Sequence, residues 1–129
     1  MDKEKSLSEW TYPFSCETYL FVGKKPAAVM FGKERIDVKS WRGVYAAILK
    51  RCNENPKCHE MLMYLRNKTA GKIRVFLSDK PDGMTRAYMI DTDLYGEIHY
   101  GSQTLMHILR ERILVPARFN YSDIYIVFR

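Results

Sequence analysis

Two carboxylates in the second half of the chain could take part in metal chemistry. Asp82 follows Pro81, and Glu97 stands fifteen residues later, two residues before His99. An aspartate and a glutamate on adjacent strands can hold Mg²⁺ for phosphodiester cleavage, because hard cations prefer oxygen ligands. Nuclease sites of this kind also place a lysine two residues after the glutamate, where this chain has His99. Because Pro81, Asp82 and Gly83 are typical of a hairpin turn, a metal-dependent nuclease is only the third hypothesis.

The other metal-ligand and nucleophile types do not form a recognisable motif. Cys52 and Cys58 are separated by five residues and do not belong to a CxxC pair, so zinc is not indicated. Both cysteines fall on apolar helix faces and are interpreted as buried thiols, and all three cysteines as reduced. Asp91, Asp93, Glu97 and His99 could together form a small acidic metal site. Because their stretch lacks the spacing of a calcium loop, it is interpreted as two solvated turns. We therefore predict a non-enzymatic protein without metal or cofactor.

Net charge gives a further indication of the partner. The 129 residues carry 21 Lys and Arg against 15 Asp and Glu, a formal charge of +6. The excess positive charge is spread equally over the two halves of the chain. Residues 1–64 carry 11 basic and 8 acidic side chains, a charge of +3, and residues 65–129 carry 10 and 7, again +3. A charge of this size favours contact with a polyanion, although it also aids solubility.

The basic residues are concentrated in several short segments. One segment has four cations and no acid over residues 66–74, a second ends the first predicted helix, and a third is a predicted turn. The predicted nucleic-acid-binding residues are Lys24, Lys25, Lys50, Arg51, Arg66, Lys68, Lys72 and Arg74. Two Trp, nine Tyr and six Phe, 17 in all, could stack on bases. Nothing in the sequence separates DNA from RNA.

Two alternatives stay open beside nucleic acid. The basic segments could be ordinary solvated faces, because most protein surfaces mix charges. The aromatic residues could instead anchor another protein, so that the chain would be an interaction or inhibitor domain. The oligomeric state is not predictable from these patterns.

Hydrophobic periodicity predicts one domain over residues 10–129, preceded by a flexible N-terminus over residues 1–9. The apolar stripe of the first helix begins at Trp41 after the cap residue Ser40, and Asn55-Pro56 begins a second helix. A third helix is predicted over residues 103–114, with Ser102 as its cap. Strands are predicted over residues 19–22, 27–31, 35–38, 73–77, 85–90, 95–100 and 124–128.

The order of these elements is ββ(β)–αα–βββ–α–β. It predicts an α+β fold with an antiparallel or mixed sheet, on which an αα-hairpin and a third, C-terminal helix pack. The sequence has no apolar run of about 20 residues and no apolar signal region, so we expect a cytoplasmic protein without membrane contact.

Two short stretches resemble parts of small bacterial modules linked to mobile elements, phages or defence. They are Lys39-Ser40-Trp41 before the first helix and the stretch Gly96–Leu105 before the third helix. No family is identified from them, and the resemblance implies no functional residues.

Overall fold

The computed structural model describes residues 10–67 and 76–129. The strands in these residues are β1 (Trp10–Pro13), β2 (Pro26–Phe31), β3 (Glu34–Asp37), β4 (Leu77–Ser78), β5 (Ala87–Asp91), β6 (Leu94–Glu97) and β7 (Ile124–Phe128). The helices are a 3₁₀ helix (Thr18–Phe21), α1 (Trp41–Glu54), α2 (Pro56–Leu65) and α3 (Ser102–His107), which continues as a π-helix over Ile108–Leu114. The α+β class predicted from the sequence is confirmed.

The strands divide into two antiparallel sheets. The larger sheet has the order β1-β7-β2-β3, and the smaller one has the order β4-β6-β5. The C-terminal strand β7 is therefore central, with Trp10 of β1 opposite Phe128 and Ala28 of β2 opposite Val127. All pairs are antiparallel, as the sequence allowed, but the division into two sheets was not predicted.

Side-chain caps fix the helix pair as predicted. The Ser40 hydroxyl accepts a hydrogen bond from the Gly43 backbone N–H at 3.1 Å, so α1 begins at Trp41. The Asn55 side chain accepts from the backbone N–H groups of Lys57 and Cys58, at 3.0 and 3.1 Å. Asn55 therefore ends one helix and caps the next, which explains the one-residue connection.

The predicted apolar faces form one core. The inner face of α1 is buried along its whole length: Val44, Tyr45, Ile48, Leu49 and Cys52. It packs against β2, β5 and α3. Inward residues of the third helix and of β7 complete the same cluster: Leu105, Ile108, Leu109, Ile113, Ile124, Ile126 and Phe128.

The first predicted strand was wrong. Residues 19–22 belong to the 3₁₀ helix and the residue after it, because the N–H of Leu20 bonds the Glu17 carbonyl and that of Val22 bonds the Tyr19 carbonyl. The strand that pairs with β7 is instead Trp10–Pro13. The sequence shows the aromatic residues of this segment. It does not predict a strand there, because the segment contains Pro13 and has no flanking turn signal.

Other boundaries also differ from the predictions. Gly101, not Ser102, is the N-cap of α3, since its backbone is extended and its carbonyl accepts from Leu105 N–H. The last turns of that helix are π-helical, with the Val115 N–H bonded to the Arg110 carbonyl. The strand predicted over residues 73–77 falls largely outside the described residues, which contain only its end in β4. The same applies to the N-terminus over residues 1–9.

Candidate nucleic-acid interface

A short loop before β2 fixes the position of Lys24 and Lys25. Gly23 turns the chain with a φ of 77°, a conformation that favours glycine. The indole N–H of Trp41 donates to the Lys24 carbonyl at 3.0 Å, and the Arg129 N–H donates to the Lys25 carbonyl at 3.1 Å. The two lysines are therefore held between the start of α1 and the end of β7.

Two exposed aromatic side chains belong to the elements next to this loop. Trp10 is 46% exposed and contacts Phe128, the residue next to Arg129, at a ring-centroid distance of 6.5 Å. Tyr19 is 62% exposed on the 3₁₀ helix that leads into the loop. The Lys24 ammonium lies 5.5 Å from the centre of the half-buried Tyr12 ring. We define the Lys24 end as Trp10, Tyr19, Lys24, Lys25 and Arg129.

The buried side of the Lys24 end is a stack of rings. Phe21 and Phe128 are fully buried, and Trp41 lies 5.0 Å from the first ring centre and 5.8 Å from the second. Tyr12 meets Phe128 edge-to-face at 5.4 Å. Tilted and edge-to-face contacts of this kind stabilise aromatic pairs beyond their burial. The exposed groups therefore stand on a rigid support.

Lys50 and Arg51 lie at the other end of α1. Arg51 donates to the Glu34 carboxylate at 2.6 Å, and its guanidinium lies 4.3 Å from the centre of the Phe31 ring. Lys50 is exposed and lines a small depression together with Glu34 and Glu54. These contacts leave less free positive charge than the sequence suggested. Because Arg51 follows Trp41 by ten residues, it lies about 15 Å along the helix axis from the residue that bonds the Lys24 carbonyl.

The third predicted basic segment is only partly described. Arg66 is half-buried and donates to the carbonyls of Met63 and Asp93, at 3.0 and 2.9 Å. It thus ties the end of α2 to the turn between β5 and β6. The predicted contacts at Lys68, Lys72 and Arg74 lie outside the described residues. The predicted residues do not form one continuous patch within the described chain, and their role in binding stays a prediction.

The nuclease hypothesis depended on Glu97, which has a clear structural role. Glu97 is 1% exposed, and its carboxylate accepts from the backbone N–H groups of Thr85 and Arg86, at 2.7 and 2.8 Å. It also accepts from the backbone N–H of His99 at 3.2 Å. Asp82 lies in an exposed turn. Residues 10–67 and 76–129 contain no group of three or more His, Cys, Asp or Glu side chains that could hold a metal ion.

Asp91 and His59 form a polar contact that the sequence did not predict. The Asn53 side chain donates to Asp91 Oδ2 at 2.8 Å, and this hydrogen bond holds the pKa of Asp91 below its usual range. The backbone N–H of Thr92 lowers that pKa further. His59 Nδ1 lies 2.7 Å from Asn53 Oδ1 and 3.8 Å from Asp91 Oδ2. The contact joins the end of α1 to the β5–β6 turn.

Arg110 is a buried cation. Its Nη1 donates to the carbonyls of Phe14 and Cys16, at 2.9 and 2.7 Å, and its Nε donates to Glu111 at 2.9 Å. It thereby anchors the segment that connects β1 to the 3₁₀ helix. Glu111 and Arg112 follow Arg110 in the sequence, so no local pattern marks Arg110 as buried.

The chain matches no protein-family model, no curated protein and no solved structure. No helix in the described parts of the chain has the length and apolar character that crossing a membrane requires. Its function must therefore be inferred from the described residues themselves.

Proposed function

We propose that this protein is a non-enzymatic binding protein that contacts single-stranded nucleic acid through the Lys24 end. The proposal rests on two exposed rings in the elements around this loop: Trp10 in β1, which pairs with β7, and Tyr19 in the 3₁₀ helix before the loop. The same loop and the end of β7 carry three cations, Lys24, Lys25 and Arg129. Proteins that bind single strands combine these two features, because rings stack on bases and cations follow the phosphates.

The electrostatic surroundings support this choice among the predicted basic segments. No carboxylate among the described residues forms an ion pair with Lys24, Lys25 or Arg129. Arg51, by contrast, is already paired with Glu34. A cation without a carboxylate partner can contact a phosphate without first breaking an ion pair.

Rigidity also supports the choice. The Lys24 and Lys25 carbonyls are bonded to α1 and to β7, so the loop backbone does not have to become ordered on binding. Preorganised groups lose less entropy when a ligand binds. Stacking on an aromatic side chain contributes about 1–3 kcal/mol per base, so two exposed rings can give measurable affinity.

Fluorescence anisotropy with labelled single- and double-stranded DNA and RNA tests the proposal. We expect preferential binding of single strands, with an affinity that falls as salt increases. Replacing Lys24→Gln and Lys25→Gln together removes two phosphate contacts and should reduce the salt slope by about 1.4, the value for two charges on a single strand. Tyr19→Ser should weaken binding through the stacking contribution alone, with the salt slope unchanged.

The matched control is Lys33→Gln with Lys50→Gln, which changes the net charge by the same amount away from the Lys24 end. We expect its salt slope to stay within error of the wild-type value. If the two double variants weaken binding equally, the protein binds through its overall charge, and the site assignment is wrong. If no strand binds at low salt, nucleic acid is not the partner.

A protein partner is the second candidate, and the same end supports it. Val22 is 55% exposed and adds apolar area to that of Trp10 and Tyr19, so this end has apolar area available for an interface. In the described residues β1 is an end strand of the larger sheet and carries no charge, which suits pairing with another strand. A protein partner should stay bound at high salt, whereas a nucleic acid should be released. The Tyr19→Ser variant should lose the protein partner.

A further inference from the structure

A cleft of about 590 Å³ opens between the start of α2 and the segment that follows the π-helix. Cys58 and Met61 lie in its lining, and Lys57, Glu60 and Arg118 supply its charged groups. Two cations against one carboxylate make the cleft positive. Cys58 is only 5% exposed, so its contact with solvent is limited to this opening.

A second buried thiol, Cys52, precedes Cys58 by six residues. Cys52 belongs to the last turns of α1 and Cys58 to the first turn of α2, with Asn55 as the connection. Both side chains are buried in the same core cluster, and both are free thiols. Burial first and then the neighbouring Cys58 thiol raise the pKa of Cys52, so the two thiols lie close to each other. The Asn55 cap, which accepts from the Lys57 and Cys58 N–H groups, fixes the short connection between the two helices that carry the thiols.

We propose that Cys58 and Cys52 form an oxidisable dithiol that reacts with anionic low-molecular-weight disulfides entering through the cleft. The Cys58 thiolate attacks one sulfur of the disulfide, forms a mixed disulfide and releases the first small thiolate. The Cys52 thiolate then attacks the Cys58 sulfur, closes the Cys52–Cys58 disulfide and releases the second small thiol. Each protein thiol loses one proton, and the two electrons reduce the small disulfide to two thiols.

The surroundings of the two sulfurs determine the order of attack. Cys52 is fully buried, and burial raises its pKa far above the usual range of a thiol. A thiol that stays protonated is a poor first nucleophile, so Cys52 acts second, when the leaving sulfur is already beside it. Lys57 and Arg118 attract a disulfide that carries carboxylates, which is why an anionic co-reactant is favoured.

Mass spectrometry of the native full chain after incubation with oxidised glutathione tests the proposal. We expect a product lighter by two hydrogen atoms, with a peptide map that joins Cys52 to Cys58. Cys52→Ser should instead accumulate a glutathione adduct on Cys58, because the second attack is lost. Cys16→Ser should leave the reaction rate unchanged. An adduct on Cys16 alone, or reaction only after unfolding, would overturn the proposal. The wild-type peptide map decides this even where a serine variant fails to fold.

Charge selection is tested with the cationic disulfide cystamine. We expect glutathione disulfide to react several-fold faster than cystamine at low salt, with the difference lost at high salt. Lys57→Gln with Arg118→Asn should reverse the preference. Asparagine suits position 118 because the backbone there has a φ of 59°. Lys33→Gln with Lys50→Gln is the matched charge control. Equal rates for the two disulfides at low salt would contradict the anionic co-reactant.

Discussion

The two ends of α1 carry similar formal charge but differ in what surrounds it. At one end, the Lys24 ammonium lies over the Tyr12 ring, and the neighbouring elements carry the exposed rings of Trp10 and Tyr19. At the other end, Lys50 lies near Glu34 and Glu54, and Arg51 is paired with Glu34. A basic pair in a sequence therefore does not identify a binding surface. The distinction depends on which carboxylates the fold brings close to each cation.

The two ends also differ in how they are held. The Lys24 end rests on buried rings and on the hydrogen bonds of Arg110, whose side chain is 9% exposed. The other end is held by partly exposed polar contacts, among them Arg51 with Glu34 and Asn53 with Asp91. Buried contacts of charged groups affect stability far more than exposed ion pairs do. Substitutions at the two ends should therefore have unequal effects.

The largest effect is expected for Arg110→Met. The substitution keeps much of the apolar volume but leaves the carbonyls of Phe14 and Cys16 without their donor. Each unsatisfied buried group costs about 1–3 kcal/mol, so we expect a loss of about 2–4 kcal/mol in the free energy of unfolding. Urea denaturation measures this value. Nucleic-acid affinity should fall as well if the Lys24 end binds the strand, because β1 and the 3₁₀ helix lose their anchor.

The matched change at the other end is Glu34→Gln, which removes the partner of Arg51. Because that pair is largely exposed, we expect a change below about 1 kcal/mol. Equal losses from Arg110→Met and Glu34→Gln would show that the two ends do not differ in the way the contacts indicate.

An intermediate effect is expected midway along α1, where Tyr45 packs over Gly96. A Cβ atom added at Gly96 would collide with the Tyr45 hydroxyl. Overpacking of this kind costs about 1–3 kcal/mol, so Gly96→Ala should lower the free energy of unfolding by that amount. The Tyr45 hydroxyl has no hydrogen-bond partner among the described residues. Tyr45→Phe should therefore be neutral or stabilising, and it should recover part of the Gly96→Ala loss.

Urea denaturation of the two single variants and the double variant tests this coupling. Additive effects would show that the hydroxyl is not the obstacle at position 96. A clear loss in Tyr45→Phe alone would show that the hydroxyl makes a stabilising hydrogen bond, in contradiction to the geometry described above.

The sequence predicted most helices because their signals are local. Ser40, Asn55 and Pro56 act within one turn of their own positions, and the apolar stripe of α1 repeats at helical spacing. The 3₁₀ helix and β1 were missed because their conformations depend on distant partners. Phe21 is buried against Trp41 and Phe128, and β1 exists through its pairing with β7. Neither contact leaves a periodic pattern.

The site could be predicted only in part, for a similar reason. Lys24 and Lys25 were identified from charge alone, but their aromatic neighbours Trp10 and Tyr19 come from other elements. The burial of Arg110 and Glu97 was not predictable. Arg110 donates to the carbonyl of Phe14, which is far away in the sequence, and Glu97 accepts from the Thr85 N–H on the other side of a turn. A long-range contact of one polar side chain has no counterpart in sequence spacing.

The smallest expected effect is a pH dependence of the free energy of unfolding, at the end of α1 that carries Lys50 and Arg51. The Asn53 hydrogen bond holds the pKa of Asp91 in the folded state below its unfolded value of about 3.9, so its contribution is present above that pH. It is lost as the pH falls through the folded pKa. Asn53→Ala should therefore destabilise the protein at neutral pH, and this effect should disappear at an acidic pH at which Asp91 is protonated. Asp91→Asn, which cannot ionise, is the control and should remove this pH dependence. If Asn53→Ala costs the same at both pH values, the bond does not depend on the Asp91 charge.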